Sequence, residues 1–170
     1  MIELYEGVPG SGKSYHAICE KFLPWVKQGR RLYIAVDGIY LDRLSLFTGI
    51  DLETLEQQIT IWKDSVEVLQ AFPHVEPGSA VIIDEAQTVF RSMQKVEPGL
   101  LRWLETHRHY GVDILLMSQD FRQMSQGVTR LIEATVKFRK LSFVGLAKKN
   151  QGKVRGDPED NEGIRAIVGT

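Results

Sequence analysis

Short apolar blocks alternate along the chain with stretches of helical periodicity. The blocks are Met1-Ile2-Glu3-Leu4-Tyr5-Glu6, Leu32-Tyr33-Ile34-Ala35-Val36, Ile59-Thr60-Ile61-Trp62, Ala80-Val81-Ile82-Ile83 and residues 112–117. Blocks this short and this apolar read as strands buried on both faces. Between the first two, Ile18, Phe22, Trp25 and Val26 fall at helical spacing, which predicts an amphipathic helix over residues 14–27. Pro24 is expected to bend or shorten its last turn, and Gly29 to end it. Residues 39–78 carry the weakest pattern: a short helix from near Asp51, the strand at 59–62 and a helix over 65–72. Past the Pro77-Gly78 turn the pattern sharpens. A helix over 100–107 stops at Gly111, and a helical stretch with Val128, Leu131 and Ile132 follows the next strand. A final pair of strands is expected around Val136-Lys137-Phe138 and Ser142-Phe143-Val144, as a C-terminal β-hairpin. Alternating strands and helices predict an α/β fold with a mostly parallel central sheet flanked by helices on both faces. Residues 1–147 read as one domain and 148–170 as a polar, flexible tail.

Composition changes this picture little. With 170 residues, 43% apolar and 25% charged, the chain is an ordinary globular domain. A net charge of −1 removes any global attraction to nucleic acid or membrane, so such a contact must be a local patch. The single cysteine, Cys19, cannot form an intrachain disulfide, which fits a reducing compartment. Inside the first helix it reads as a small core residue. No stretch reaches the roughly 18 apolar residues of a membrane span, and the first motif begins too early for a signal peptide. Taken alone, the chain is expected to be soluble and cytoplasmic.

The chemistry lies at the strand ends. Gly7-Val8-Pro9-Gly10-Ser11-Gly12-Lys13-Ser14, directly after the first strand and before the first helix, satisfies the phosphate-binding pattern G-x-x-x-x-G-K-[ST]. Its glycines let successive amides turn inward onto phosphate oxygens. Lys13 is positioned in sequence to reach the β- and γ-phosphates, Ser14 to complete a Mg²⁺ shell, and Tyr15 to continue the cradle. This makes the predicted sheet a three-layer P-loop fold of the RecA/ASCE-like kind. Asp84-Glu85, at the end of an unbroken apolar strand, has the form of a Walker B pair: Asp84 for the metal, Glu85 to activate water. Gln119, ending the next strand after Ser118, is a candidate γ-phosphate sensor. Arg102, Arg108, Arg122 and Arg130 are candidate cations for transition-state charge, supplied from a neighbouring subunit. His107-Arg108-His109 lacks further ligands at zinc-site spacing and reads as a polar helix end facing the nucleotide or a subunit interface. ATP is the default nucleotide, since no guanine-reading motif follows.

The tetrad Asp84-Glu85-Ala86-Gln87 goes beyond a generic P-loop protein. So do Trp103-Leu104-Glu105-Thr106-His107-Arg108-His109-Tyr110-Gly111-Val112-Asp113-Ile114, the pair Ser118-Gln119 and the basic Val128-Thr129-Arg130-Leu131-Ile132. Together they resemble the N-terminal domain of the zonula occludens toxin (Zot) family, which includes the gene I type assembly and export ATPases of filamentous bacteriophages. The resemblance runs to about Ile132 and is weak between Ile39 and Gly78. It implies an ATP- and Mg²⁺-dependent motor at the cytoplasmic face of the host inner membrane. Such a motor would be a homo-oligomeric ring, a hexamer, handling single-stranded phage DNA with its coat or binding protein. Relatives are anchored by a later transmembrane segment, so the chain looks like the cytoplasmic domain alone. Two other readings stay open: a nucleotide-gated assembly scaffold with slow hydrolysis, and a small P-loop kinase.

Overall fold

The structure, a computed structural model, describes residues 1–140. The chain opens with β1 (Ile2–Glu6), the glycine-rich loop and α1 (Lys13–Ala17). A π-helical turn (Ile18–Phe22) joins α1 to α2 (Leu23–Lys27). Then come β2 (Leu32–Ala35), α3 (Leu41–Thr48), α4 (Leu52–Gln58), β3 (Ile59–Ile61) and α5 (Ser65–Ala71). β4 (Ala80–Ile83), α6 (Ala86–Val89) and α7 (Pro98–Thr106) lead into β5 (Asp113–Ser118). α8 (Gln126–Thr129) and β6 (Ala134–Lys137) complete the described elements.

The strands form one parallel six-stranded sheet in the order β3-β2-β4-β5-β1-β6. The insertion of β5 between β1 and β4 decides the site. Leu116 of β5 pairs with Leu4 on one side and Ile83 on the other, so Gln119 emerges between the glycine-rich loop and Asp84-Glu85. Alternate strand residues feed two cores. Leu4, Val81, Ile83, Ile114 and Leu116 pack with α5, α6, α7 and α8, whereas Tyr5, Ile34, Ile82, Leu115 and Met117 pack with α1, α2, α3 and α4. This is the expected three-layer architecture. Among the described residues no helix is long and apolar enough to cross a membrane.

Several expectations need correction. Pro24 does not shorten the last turn of the first helix; it sits at the start of α2, and the irregularity lies before it in the π-helical turn. A proline lacks the amide for an i−4 bond and crowds that carbonyl, and a widened turn relieves both. Gly29, at φ 68, does end the helix. α3 was not foreseen, because only Leu44 is buried on it and Leu46 is 88% exposed. The stretch around Val128 is helical only as far as Thr129. The strand at Ser142-Phe143-Val144 and the tail from 148 lie outside the described residues. Cys19 is half-buried against the α1-side core.

At the sheet edge away from the loop, Arg30 ties three segments together. Its guanidinium donates to the carbonyls of Gly78 (2.7 Å), Ser79 (2.8 Å) and Gly111 (3.1 Å) and to Asp113 Oδ2 (2.7 Å). Removing it leaves partly buried acceptors unpaired, so Arg30→Ala is expected to lower unfolding free energy by about 2–4 kcal/mol in chemical denaturation.

Candidate functional site

The loop after β1 is tied to the sheet at its root, where the Gly7 amide donates to the Ser118 carbonyl at 3.1 Å. The Ser11 amide then closes a turn onto the Val8 carbonyl at 3.1 Å, and the His16 amide bonds the Gly12 carbonyl at 3.0 Å to begin α1. Gly10 (φ 70) and Gly12 (φ 93) adopt the left-handed backbone that turns a run of amides to one side. Val8, Pro9, Gly10 and Gly12 line the exposed rim of this loop; Ser14 and Tyr15 are half-buried at the start of the helix.

Two observations fit this cradle to a phosphate. Lys13 is only 6% exposed, and its ammonium has no ion-pair partner among the described residues. Ser11 Oγ is buried with no hydrogen-bond partner among the described residues. A buried cation without an ion-pair partner and a buried hydroxyl without a hydrogen bond, in one loop and among the described residues, suit an anion that engages both.

Beside the cradle, Ser14 Oγ donates to Asp84 Oδ2 at 3.1 Å. A hydroxyl and a carboxylate together, with phosphate oxygens to complete the shell, suit Mg²⁺ better than softer metals. Burial raises the Asp84 carboxyl above its ordinary value, against the Glu85 amide, Lys13 and Ser14, which favour the carboxylate. The folded state therefore binds the Asp84 proton more tightly than the unfolded chain does. The charged form lowers stability at neutral pH, and this loss fades as pH falls through the folded value. Asp84→Asn is accordingly expected to raise the melting temperature of the nucleotide-free protein at pH 7.5. The gain should shrink as pH is lowered into the acid range and the native carboxyl takes up its proton too. Thermal melts at neutral and at acid pH check it.

Glu85 has φ 47 and ψ 44, the one non-glycine residue with positive φ among the described residues. Left-handed backbone in a residue with a side chain costs about 1–3 kcal/mol and persists where surroundings impose it. Here the Glu85 amide is held by Asp84 Oδ1 at 2.8 Å, and its carbonyl by the Thr88 amide at 2.7 Å and hydroxyl at 2.8 Å. The Glu85 carboxylate accepts from Gln119 Nε2 at 3.1 and 3.2 Å and from Gln87 Nε2. Gln87 Oε1 in turn accepts from Ser118 Oγ at 2.7 Å. The two strand tips thus share one network, with Gln119 bonded directly to Glu85. Sequence reasoning quoted Gln87 without giving it a role; its spacing two residues after Glu85 at a strand end was the available signal.

Crevices flank this row. One of about 580 Å³ is lined by Glu6, Val8, Gln119, Asp120, Phe121 and Arg122, among others. Another of about 310 Å³ reaches Asp84 and Glu85 from the side of Asp37, Trp62 and Asp64.

The candidate arginines lie elsewhere or are engaged. Arg122 chelates Asp120 at 2.8–3.1 Å, and Arg102 is exposed on α7. Arg108 pairs with Glu133, whose carboxylate also accepts the Ile2 amide at 3.1 Å, which puts it at the sheet end opposite the loop of its own chain. Arg130, exposed at the end of α8, stands three residues before Glu133. His107 is 3% exposed, with Nδ1 2.6 Å from the Leu104 carbonyl. The His107-Arg108-His109 segment therefore does not face the nucleotide loop of its own chain.

Comparison with known proteins bears on the family and the fold. A family model described as Zonular occludens toxin (Zot) matches residues 1–169. The Gene 1 protein of Xanthomonas phage phiLf is 27% identical over 159 residues, covering 86% of this chain and 36% of that protein. The chain thus spans just over a third of that relative's length. The crystal structure of the N-terminal domain of zonular occludens toxin from Neisseria meningitidis has a TM-score of 0.55 at 23% identity, covering 83% of this chain and 78% of that one. The genome packaging NTPase B204 of Sulfolobus turreted icosahedral virus 2, in complex with ATP-gammaS, has a TM-score of 0.56 at 20% identity, covering 86% and 80%.

Proposed function

The chain belongs to the zonular occludens toxin (Zot) family, and we propose that it is the ATP-hydrolysing motor domain of a machine for phage assembly and export. The observation that carries this reading is the Glu85 carboxylate, held by Gln119 and Gln87 in strained backbone beside the Ser14–Asp84 pair. Lys13 and Ser11 take the phosphate chain of ATP, and Ser14 and Asp84 hold Mg²⁺. When bound there, the metal would supply positive charge to offset the charge that develops on the phosphate chain. Glu85 accepts a proton from the attacking water. Gln119 orients that carboxylate and exchanges its bond to Glu85 for one to the γ-phosphate or the water, coupling the state of the nucleotide to β5. That the packaging NTPase of the Sulfolobus virus binds an ATP analogue on the same fold supports the choice of nucleotide.

Arg108 stands at the far end of the sheet from its own site, so a transition-state cation from it would come from an adjoining copy, and Arg130, exposed after α8, is a second candidate for that role. Such sharing suits an oligomer, and the family resemblance extends the proposal to a hexameric ring at the inner face of the host membrane, moving single-stranded phage DNA with its coat or binding protein. Specific ATPase activity is expected to rise with protein concentration and saturate as copies associate. Tight ATP binding with flat, negligible turnover would instead make the domain a nucleotide-gated scaffold.

A further inference from the structure

We propose that Lys140 is a second lysine of the phosphate site, contacting the phosphate chain of the nucleotide that Lys13 binds; this rests on the nucleotide-binding reading above. Past β6 the chain does not leave the sheet. The Phe138 amide donates to the Glu6 carbonyl at 2.7 Å, continuing the pairing one residue beyond the strand. The Phe138 ring packs against Tyr5 and His16, with centroids 5.3 Å from each. Its backbone presses on the first glycine of the loop: a methyl at Gly7 would stand 2.7 Å from the Phe138 carbonyl oxygen and 2.8 Å from its Cβ. Phe138 therefore fixes the strand tip to the loop.

Two residues later, Lys140 extends along the loop to Gly10. A Cβ built there would lie 3.1 Å from Lys140 Cε and 3.2 Å from Nζ. Gly10 is one of the two left-handed glycines at which the amides turn. Lys137, three residues earlier, pairs with Glu6 at 3.3 Å. Lys140 has no ion-pair partner among the described residues, and neither has Lys13. Two lysines therefore stand at one short loop, Lys13 with the Asp84 carboxylate in its field and Lys140 without an ion-pair partner among the described residues. A phosphate chain seated on the loop would meet a cation from each side of it. A lysine ammonium is a compact point charge, and its place at Gly10 sets it on the loop that would cradle phosphate.

Titration calorimetry with a non-hydrolysable Mg·ATP analogue and with Mg·tripolyphosphate tests the assignment on the native chain, Lys140→Ala and Lys140→Arg. Lys140→Ala is expected to weaken both ligands about tenfold and to flatten the salt dependence of binding. Lys140→Arg should stay within about threefold of native, and the melting temperature should not move, because Lys140 is exposed. Equal affinities for native and Lys140→Ala would overturn the assignment while leaving the nucleotide site intact. Loss of analogue affinity alone, with tripolyphosphate unaffected, would overturn it in favour of a ribose or base contact. If the native chain binds neither ligand, the nucleotide reading fails and this one with it.

Discussion

Glu85→Gln is expected to lower kcat for ATP hydrolysis about 10²–10³-fold while leaving the Kd for Mg·ATP within about threefold. The substitution exchanges a carboxylate that takes a proton from water for an amide of the same shape that cannot. The left-handed backbone at this position tolerates glutamine no worse than glutamate, so no new strain enters. The new amide oxygen still accepts a hydrogen bond from Gln119 or Gln87, both of which reach the native carboxylate. The groups proposed to hold phosphate and metal, Ser11, Lys13 and Ser14, are untouched. Equilibrium binding and single-turnover hydrolysis on one preparation separate the two effects. A kcat within threefold of native would place the proton acceptor elsewhere. A rise in Kd matching the fall in kcat/KM would make Glu85 a binding residue instead.

Lys13→Ala is expected to raise the Kd for Mg·ATP at least about 100-fold, some 3 kcal/mol of binding, with turnover falling below detection. The side chain is 6% exposed and without an ion-pair partner among the described residues, so its interaction with phosphate is only weakly screened by water. Lys13 also favours the Asp84 carboxylate. Its loss pushes that carboxyl further up and weakens the Mg²⁺ site, so the two positions should be coupled. The double substitution Lys13→Ala with Asp84→Asn is expected to cost less than the sum of the single losses. Nucleotide titrations of the three variants measure this directly. A shift under tenfold for Lys13→Ala alone would mean that the phosphate chain lies elsewhere.

Most of the sheet and half of the site were legible in local pattern. Ala80–Ile83 is buried along its whole length, and an unbroken apolar run is what such a strand requires. The glycine-rich motif names its own conformation, because few residues other than glycine adopt φ values such as 70 and 93. The Asp51 and Asp64 caps mark the starts of α4 and α5, each accepting backbone amides of the first turn. α3 escaped notice because it lies on the domain with one buried residue, too few to set a helical period. The π-helical turn ahead of Pro24 escaped because a proline signals interruption without saying on which side the helix yields.

Local chemistry, then, was enough to place the strands, the glycine-rich turn and the acidic pair at a strand end, since each depends on neighbours in the chain. Contacts between distant segments needed the tertiary structure. The placing of β5 between β1 and β4 brings Gln119 onto Glu85, 34 residues away, and Ser118 onto Gln87, 31 residues away. The same packing pairs Arg108 with Glu133 at the far end of the sheet and presses Phe138 against Gly7. Strand order follows from how two helical layers share the faces of one sheet, and no window of residues along the chain encodes that sharing.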